Sequence, residues 1–169
     1  MSLHAFAEFL KYKWRAKGRH GTHSPFVYDF VEHVLMDKGV INPDYLFRYS
    51  DIEITYENLL SRIAAYYKYK NVVLITPQSK PVATGQIDLL AISGSDWKEW
   101  QNALAQNLGM LNKDGMIVIP GIHASAEHSA AWKKICSQAQ VRMSIDLYGV
   151  GLLLFREEFK EQQHFILKY

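Results

Sequence analysis

The chain has 169 residues, a formal net charge of +2, 49% hydrophobic and 13% aromatic residues, and one cysteine. Its length suits a single domain with a real core, and its apolar content excludes a disordered chain. The small charge excludes the strongly basic class of nucleic-acid binders, and a lone cysteine excludes an intrachain disulfide or a cysteine-built metal site. Cys136 is therefore expected as a reduced, buried core thiol. The opening MSLHAFAEFLKYKW lacks the uninterrupted apolar core of a secretory signal, and no apolar run reaches bilayer length. The expectation is a soluble, cytoplasmic protein with no transmembrane segment.

In chain order, Leu3, Phe6, Leu10 and Trp14, with Ala7 beside them, fall at helical spacing and predict an amphipathic first helix, expected to help cover the sheet edge with part of the apolar surface forming a dimer. Lys11, Lys13, Arg15, Lys17 and Arg19 follow at every second position. They read as a solvated helix C-terminus, with an anion or membrane-surface patch as the functional alternative. Ser24-Pro25 opens the next helix, as N-cap and first helical residue, and Phe26, Val27, Phe30, Val31, Val34 and Leu35 form its apolar stripe. His20 and His23 lie in the turn-rich link before it, with no acid to complete a metal site. Val40–Asp51 reads as an aromatic connector that packs down, and Thr55 as the N-cap of a helix through about Lys68, with Leu59, Leu60, Ile63 and Tyr67 inward.

Val72–Ile75 and Ile87–Ile92 are short apolar runs with little polar alternation, the pattern of strands covered on both faces. The eleven residues Thr76 to Gln86 between them contain Pro77, Pro81 and Gly85, which argue against a helical crossover. A parallel return and a hairpin are both open, and burial on both faces favours the parallel one. Trp97–Leu111 reads as a helix capped by Ser95 or Asp96, with Trp97, Trp100, Leu104 and Leu108 on one face. Lys113-Asp114-Gly115 reads as a turn into a third strand, Met116–Pro120. Ser125 caps another helix, with Ala130, Ala131, Ile135 and Cys136 as its apolar contribution. Val141–Leu147 alternates as a strand with one wetter face, Tyr148–Gly151 is a hairpin connection, Leu152–Phe155 its partner, and His164–Tyr169 a final edge strand.

The segment Lys17-Gly18-Arg19-His20-Gly21-Thr22-His23-Ser24-Pro25-Phe26-Val27-Tyr28-Asp29 resembles the N-terminal signature of a class I S-adenosylmethionine-dependent methyltransferase-like family of Bacteroidetes. Ser144–Leu147, Phe155–Lys160 and Gln163–Phe165 resemble the end of that family. The resemblance implies a truncated Rossmann-like α/β fold with a mostly parallel sheet, a closing antiparallel hairpin and an N-terminal helical segment. It also implies that the two central strands lie side by side and parallel. Residues 1–55 are then a helical segment packed on an α/β domain of residues 56–169. The middle of the chain departs from the family. Such enzymes follow the first strand with an acidic, glycine-rich loop, whereas Thr76-Pro77-Gln78-Ser79 has neither acid nor glycine. The eleven-residue link leaves no room for the strand that ends in the ribose-binding acid. Ser93 and Pro120-Gly121 stand where related enzymes often place further acids.

Thr76, Ser93, Asp96 and His123 are the candidate cleft residues at predicted strand ends. A histidine with a carboxylate can serve as general base, and Ser93 or Ser95 as nucleophile, but Ser93-Gly94-Ser95 is no nucleophile elbow. Asp96 and Ser125 are already explained as helix caps. His123 and His128, accompanied only by Glu127, do not make a metal site. No catalytic, cofactor-binding or metal residue is carried over from the family. The expected function is that of a non-catalytic methyltransferase-like protein without its S-adenosylmethionine cofactor, binding a partner or its own copy as a homodimer. Two alternatives stay open: an active methyltransferase with an atypical cofactor site, and an anion- or membrane-surface-binding module using Lys11–Arg19. The bare strand Val72–Ile75 is expected to need cover, from the N-terminal helices or from a second copy.

Overall fold

A computed structural model describes residues 3–18, 23–36, 54–75, 85–93 and 96–169. The connector 40–51, the link 76–84, Arg19, His20, Thr76 and Ser95 lie outside the described residues. The chain is an α/β structure built on a six-stranded mixed sheet of order β1-β2-β3-β5-β4-β6. The strands are β1 (Val72–Ile75), β2 (Ile87–Ile92), β3 (Leu111–Pro120), β4 (Met143–Asp146), β5 (Val150–Leu154) and β6 (Gln163–Ile166). The β1–β2, β2–β3 and β4–β6 pairs are parallel, and β5 runs antiparallel between β3 and β4. The central pair is therefore parallel, with Val72 beside Leu89 and Ile75 beside Ile92.

Helices cover both faces because the inner strands alternate apolar residues to both. Leu89 and Ala91 of β2, with Met116 and Val118 of β3, pack under α2 (Pro25–Phe30) and α3 (Ile54–Tyr67). Leu90, Ile92, Ile117 and Ile119 pack under α4 (Trp97–Asn107) and α5 (Ala126–Cys136). This is the arrangement that short, doubly buried strands require. Ser24 caps α2, accepting a hydrogen bond from Val27 N at 3.5 Å, with Pro25 as the first helical residue. The helix widens into a π-turn over Val31–Leu35, and Val27, Phe30, Val31, Val34 and Leu35 are all buried. Phe26 meets Phe159 at 5.5 Å between ring centroids, and the Arg156 guanidinium lies 4.9 Å above the Phe26 ring. The start of α2 thus packs on the segment that follows β5.

Several expectations are corrected. The helix expected from Thr55 already includes Ile54, so Thr55 falls in its first turn. It ends at Tyr67, where Lys68 takes a left-handed φ of 55°. The helix expected through Leu111 ends as α4 at Asn107; a 3₁₀ turn over Leu108–Met110 follows and β3 begins at Leu111. Lys113-Asp114-Gly115 falls within the bounds of β3, at the irregularity where the ladder to β2 passes from Leu111 beside Ile87 to Met116 beside Leu89. On α5, Ala130 is exposed and Trp132 supplies the buried surface instead.

The largest correction concerns α1 (Leu3–Arg15). Leu3 and Trp14 are 88% and 90% exposed, and Phe6 and Leu10 about half exposed. The helix docks through its other side, where Ala5 and Tyr12 are buried. Polar partners explain the inversion. Tyr12 donates its hydroxyl to the Leu167 carbonyl at 2.6 Å, and Tyr148 donates to the Ala5 carbonyl at 2.7 Å. Just beyond the helix, the backbone of Lys17 pairs with the end of β6, through Lys17 N to the Ile166 carbonyl at 2.8 Å. The helix therefore sits at the β6 end of the sheet, at the opposite margin from β1. It is not the cover expected for Val72–Ile75.

Candidate functional site

The C-terminal ends of parallel strands are where open α/β sheets place their ligands. Ser93 lies between the ends of β1 and β2, its amide donating to the Ile75 carbonyl at 2.7 Å. Asp96 is exposed and caps α4, accepting from Lys98 N at 2.9 Å. His123 follows β3. The chain turns out of that strand at Gly121, whose φ of +67° suits glycine, and Ala124 N closes the turn on the Gly121 carbonyl at 2.9 Å. That turn carries the His123 ring into the protein, where it is 8% exposed. Of the four cleft candidates, Thr76 lies outside the described residues, and neither Ser93 nor Asp96 is a hydrogen-bond partner of His123.

The partners His123 does find come from elements that are distant in sequence. Nε2 lies 2.7 Å from Asp146 Oδ2, at the end of β4, and Nδ1 lies 3.0 Å from Ser129 Oγ on α5. The ionised Asp146 carboxylate can only accept, so Nε2 donates to it, and the second hydrogen bond joins Nδ1 to the Ser129 hydroxyl. His4 of α1 reaches the same hydroxyl, with Nε2 at 3.1 Å. Glu8 of α1 approaches His123 Nδ1 at 4.0 Å and pairs with Lys11 at 2.7 Å. The Lys11 ammonium holds the Glu8 carboxyl below its ordinary pKa against the opposing cost of burial. The Tyr148 ring stacks on His123 at 5.7 Å, and its φ of 67° is held by a hydrogen bond from its own amide to Asp146 Oδ1 at 2.8 Å.

Ser129, His123 and Asp146 stand in the order of a nucleophile, base and orienting acid. The chemistry does not follow from the order. Ser129 is 4% exposed and sits inside α5, and its oxygen is shared by two imidazoles. Both His123 nitrogens are already engaged. The cluster instead fastens α1 across the ends of β3 and β4. A cavity of about 470 Å³ opens beside it, between α1, α5, β4 and β6. Lys11, Arg15, Lys133 and His164 line it together with Glu8 and Asp146; Ser129 does not. Its floor includes Ser144, whose hydroxyl lies 2.8 Å from His164 Nδ1, on the face of β4 expected to be wetter. Burial pushes the Cys136 thiol up to about 12, so this wall residue is no nucleophile.

His128 and Glu127 belong to the cap of α5, where the Ser125 hydroxyl lies 2.8 Å from His128 Nδ1 and donates to Glu127 Oε2 at 2.6 Å. Among the described residues, no group of three histidine, cysteine or acidic side chains converges on a metal position. Of the basic patch, Lys11 is paired with Glu8, Lys13 lies 5.4 Å above the Phe9 ring and Arg15 lines the cavity. Asp146, Ser129, Glu8 and Tyr148 were not legible as partners of His123. They sit on β4, α5, α1 and the turn between β4 and β5, and only the alternation along β4, which sets Asp146 on its wetter side, pointed to any of them. No protein-family model, curated protein or solved structure matches the chain.

Proposed function

We propose that the chain is a non-catalytic protein of the methyltransferase-like family, acting by binding rather than by methyl transfer. The observation that carries this reading is the direction of the sheet. From β1 the strands proceed to β2 and β3 in one direction, with β1 at the margin. A nucleotide crevice in an open α/β sheet forms where strand order reverses, and among the described strands there is no reversal beside β1. The parallel β1–β2 pair and the antiparallel β4–β5 pair accord with the fold that the resemblance implies. A second support is α1 held against Ser129 and Tyr148, with Glu8 close to His123, which occupies the surroundings of the residue that follows β3.

Isothermal titration with S-adenosylmethionine tests the reading. The expected result is no saturable binding below about 1 mM, some 4 kcal/mol weaker than a micromolar site. A low-micromolar dissociation constant overturns it and favours an active methyltransferase with an atypical site.

A further inference from the structure

We propose that the outward face of α1 binds an anionic lipid surface, with the helix lying in the plane of the bilayer interface. This names a partner for the binding-protein reading above and rests on it. At 3.6 residues per turn, Leu3, Phe6, Leu10 and Trp14 fall within an arc of roughly 80°, opposite the side that carries Ala5 and Tyr12. Four large apolar side chains in one stripe, two of them about nine-tenths exposed, are more than the scattered apolar exposure of an ordinary surface. Among the described residues, α1 is held by its other side, through the hydrogen bonds to Leu167 and Tyr148.

Charge selects the partner. The cations of α1 flank the stripe: Lys13 lies along one border, and Lys11 and, farther round, Arg15 along the other, with exposed Lys17 just beyond the end of the helix. The one acid of α1, Glu8, points to the docked side, where it meets Lys11 and approaches His123. On the Arg15 border the surface runs into the cavity, where Lys133 of α5 adds another cation. An apolar stripe with an exposed tryptophan and cations on both margins matches the acyl–headgroup boundary of an anionic leaflet. A second copy of the chain fits less well. It would bring a like-charged face with no acid on its stripe against these cations. No described helix is long and apolar enough to cross a membrane, so the association is with the surface.

Cosedimentation of the full chain with two vesicle types tests this: phosphatidylcholine alone, and phosphatidylcholine with about one-third phosphatidylserine. The expected result is partition onto the anionic vesicles only, weakening as salt rises from about 0.1 to 0.5 M. The double variants Leu10→Glu with Trp14→Glu, and Arg15→Glu with Lys17→Glu, should each lower that partition on the order of tenfold. All four side chains are exposed, and circular dichroism should match the parent chain. No partition, equal partition onto both vesicles, or variants that behave like the parent overturn the proposal. A dimer that Leu10→Glu with Trp14→Glu dissolves also overturns it and gives the face to a second copy. Tight S-adenosylmethionine binding would overturn only the non-catalytic reading. Loss of vesicle binding alone would overturn only the lipid partner.

Discussion

His123→Ala should lower stability by about 3 kcal/mol, the range for removing one member of a buried, charge-assisted hydrogen-bonded set. The imidazole holds Asp146 at 2.7 Å and Ser129 at 3.0 Å. Truncation leaves an acceptor-only carboxylate and a nearly buried hydroxyl without it, and opens space under the stacked Tyr148 ring. In a chain of this size such a loss corresponds to a fall in melting temperature of about 6–12 °C. The damage should concentrate on α1, because His4 and Glu8 meet the same cluster. Hydrogen exchange should therefore show the amides of α1 opening first, while β2 and β3 keep their protection. A melting temperature within about 2 °C of the parent would show that the cluster does not fasten the helix.

Gly151→Val should cost a similar amount through overpacking, about 3 kcal/mol. A β-carbon on Gly151 would lie 2.5 Å from Cη2 of Trp132 and within 2.8 Å of two further atoms of the ring. That ring is 4% exposed, so it cannot swing clear without breaking its own packing under α5. Gly151 pairs with Ile119 on one side and Asp146 on the other, so β5 cannot easily shift to relieve the contact. Trp132 also forms a wall of the cavity beside His123, which links this close approach to the candidate site. Pairing Gly151→Val with Trp132→Leu should restore part of the loss in denaturant midpoint. Strictly additive effects would show that the two positions do not meet.

These results bear on what the sequence made legible. Runs of apolar residues such as Ile87–Ile92 and Met116–Pro120 declared themselves as strands because burial on both faces leaves little room for polar residues, Asp88 being the one in the first run. Ser24, Asp96 and Ser125 declared three helix starts because their oxygens are what the first amides of a helix need. The orientation of α1 was not legible. The larger apolar stripe of Leu3, Phe6, Leu10 and Trp14 outweighs Ala5 and Tyr12 in any periodicity argument. Docking was decided by two tyrosine hydroxyls, two backbone carbonyls and a histidine, which periodicity does not count. The β3 start was missed for a related reason. Lys113-Asp114-Gly115 has turn chemistry, and it lies where the β2–β3 ladder is irregular, between Leu111 and Met116. Of the cleft candidates, His123 was named correctly as a residue at a strand end, but its partners come from α1, α5 and β4. Contacts between distant segments are not written in local spacing.

The central claim is the orientation of α1, and cysteine accessibility tests it most directly. Native Cys136 provides a quiet background, being buried with its thiol pushed up to about 12. Leu10→Cys should react with a maleimide as fast as a free thiol, and Ala5→Cys on the docked side at least about tenfold more slowly, limited by local opening. The reverse order would mean that the apolar stripe faces the protein after all. Equal protection at both positions would mean that a second copy covers the outward face, and either result would contradict the account.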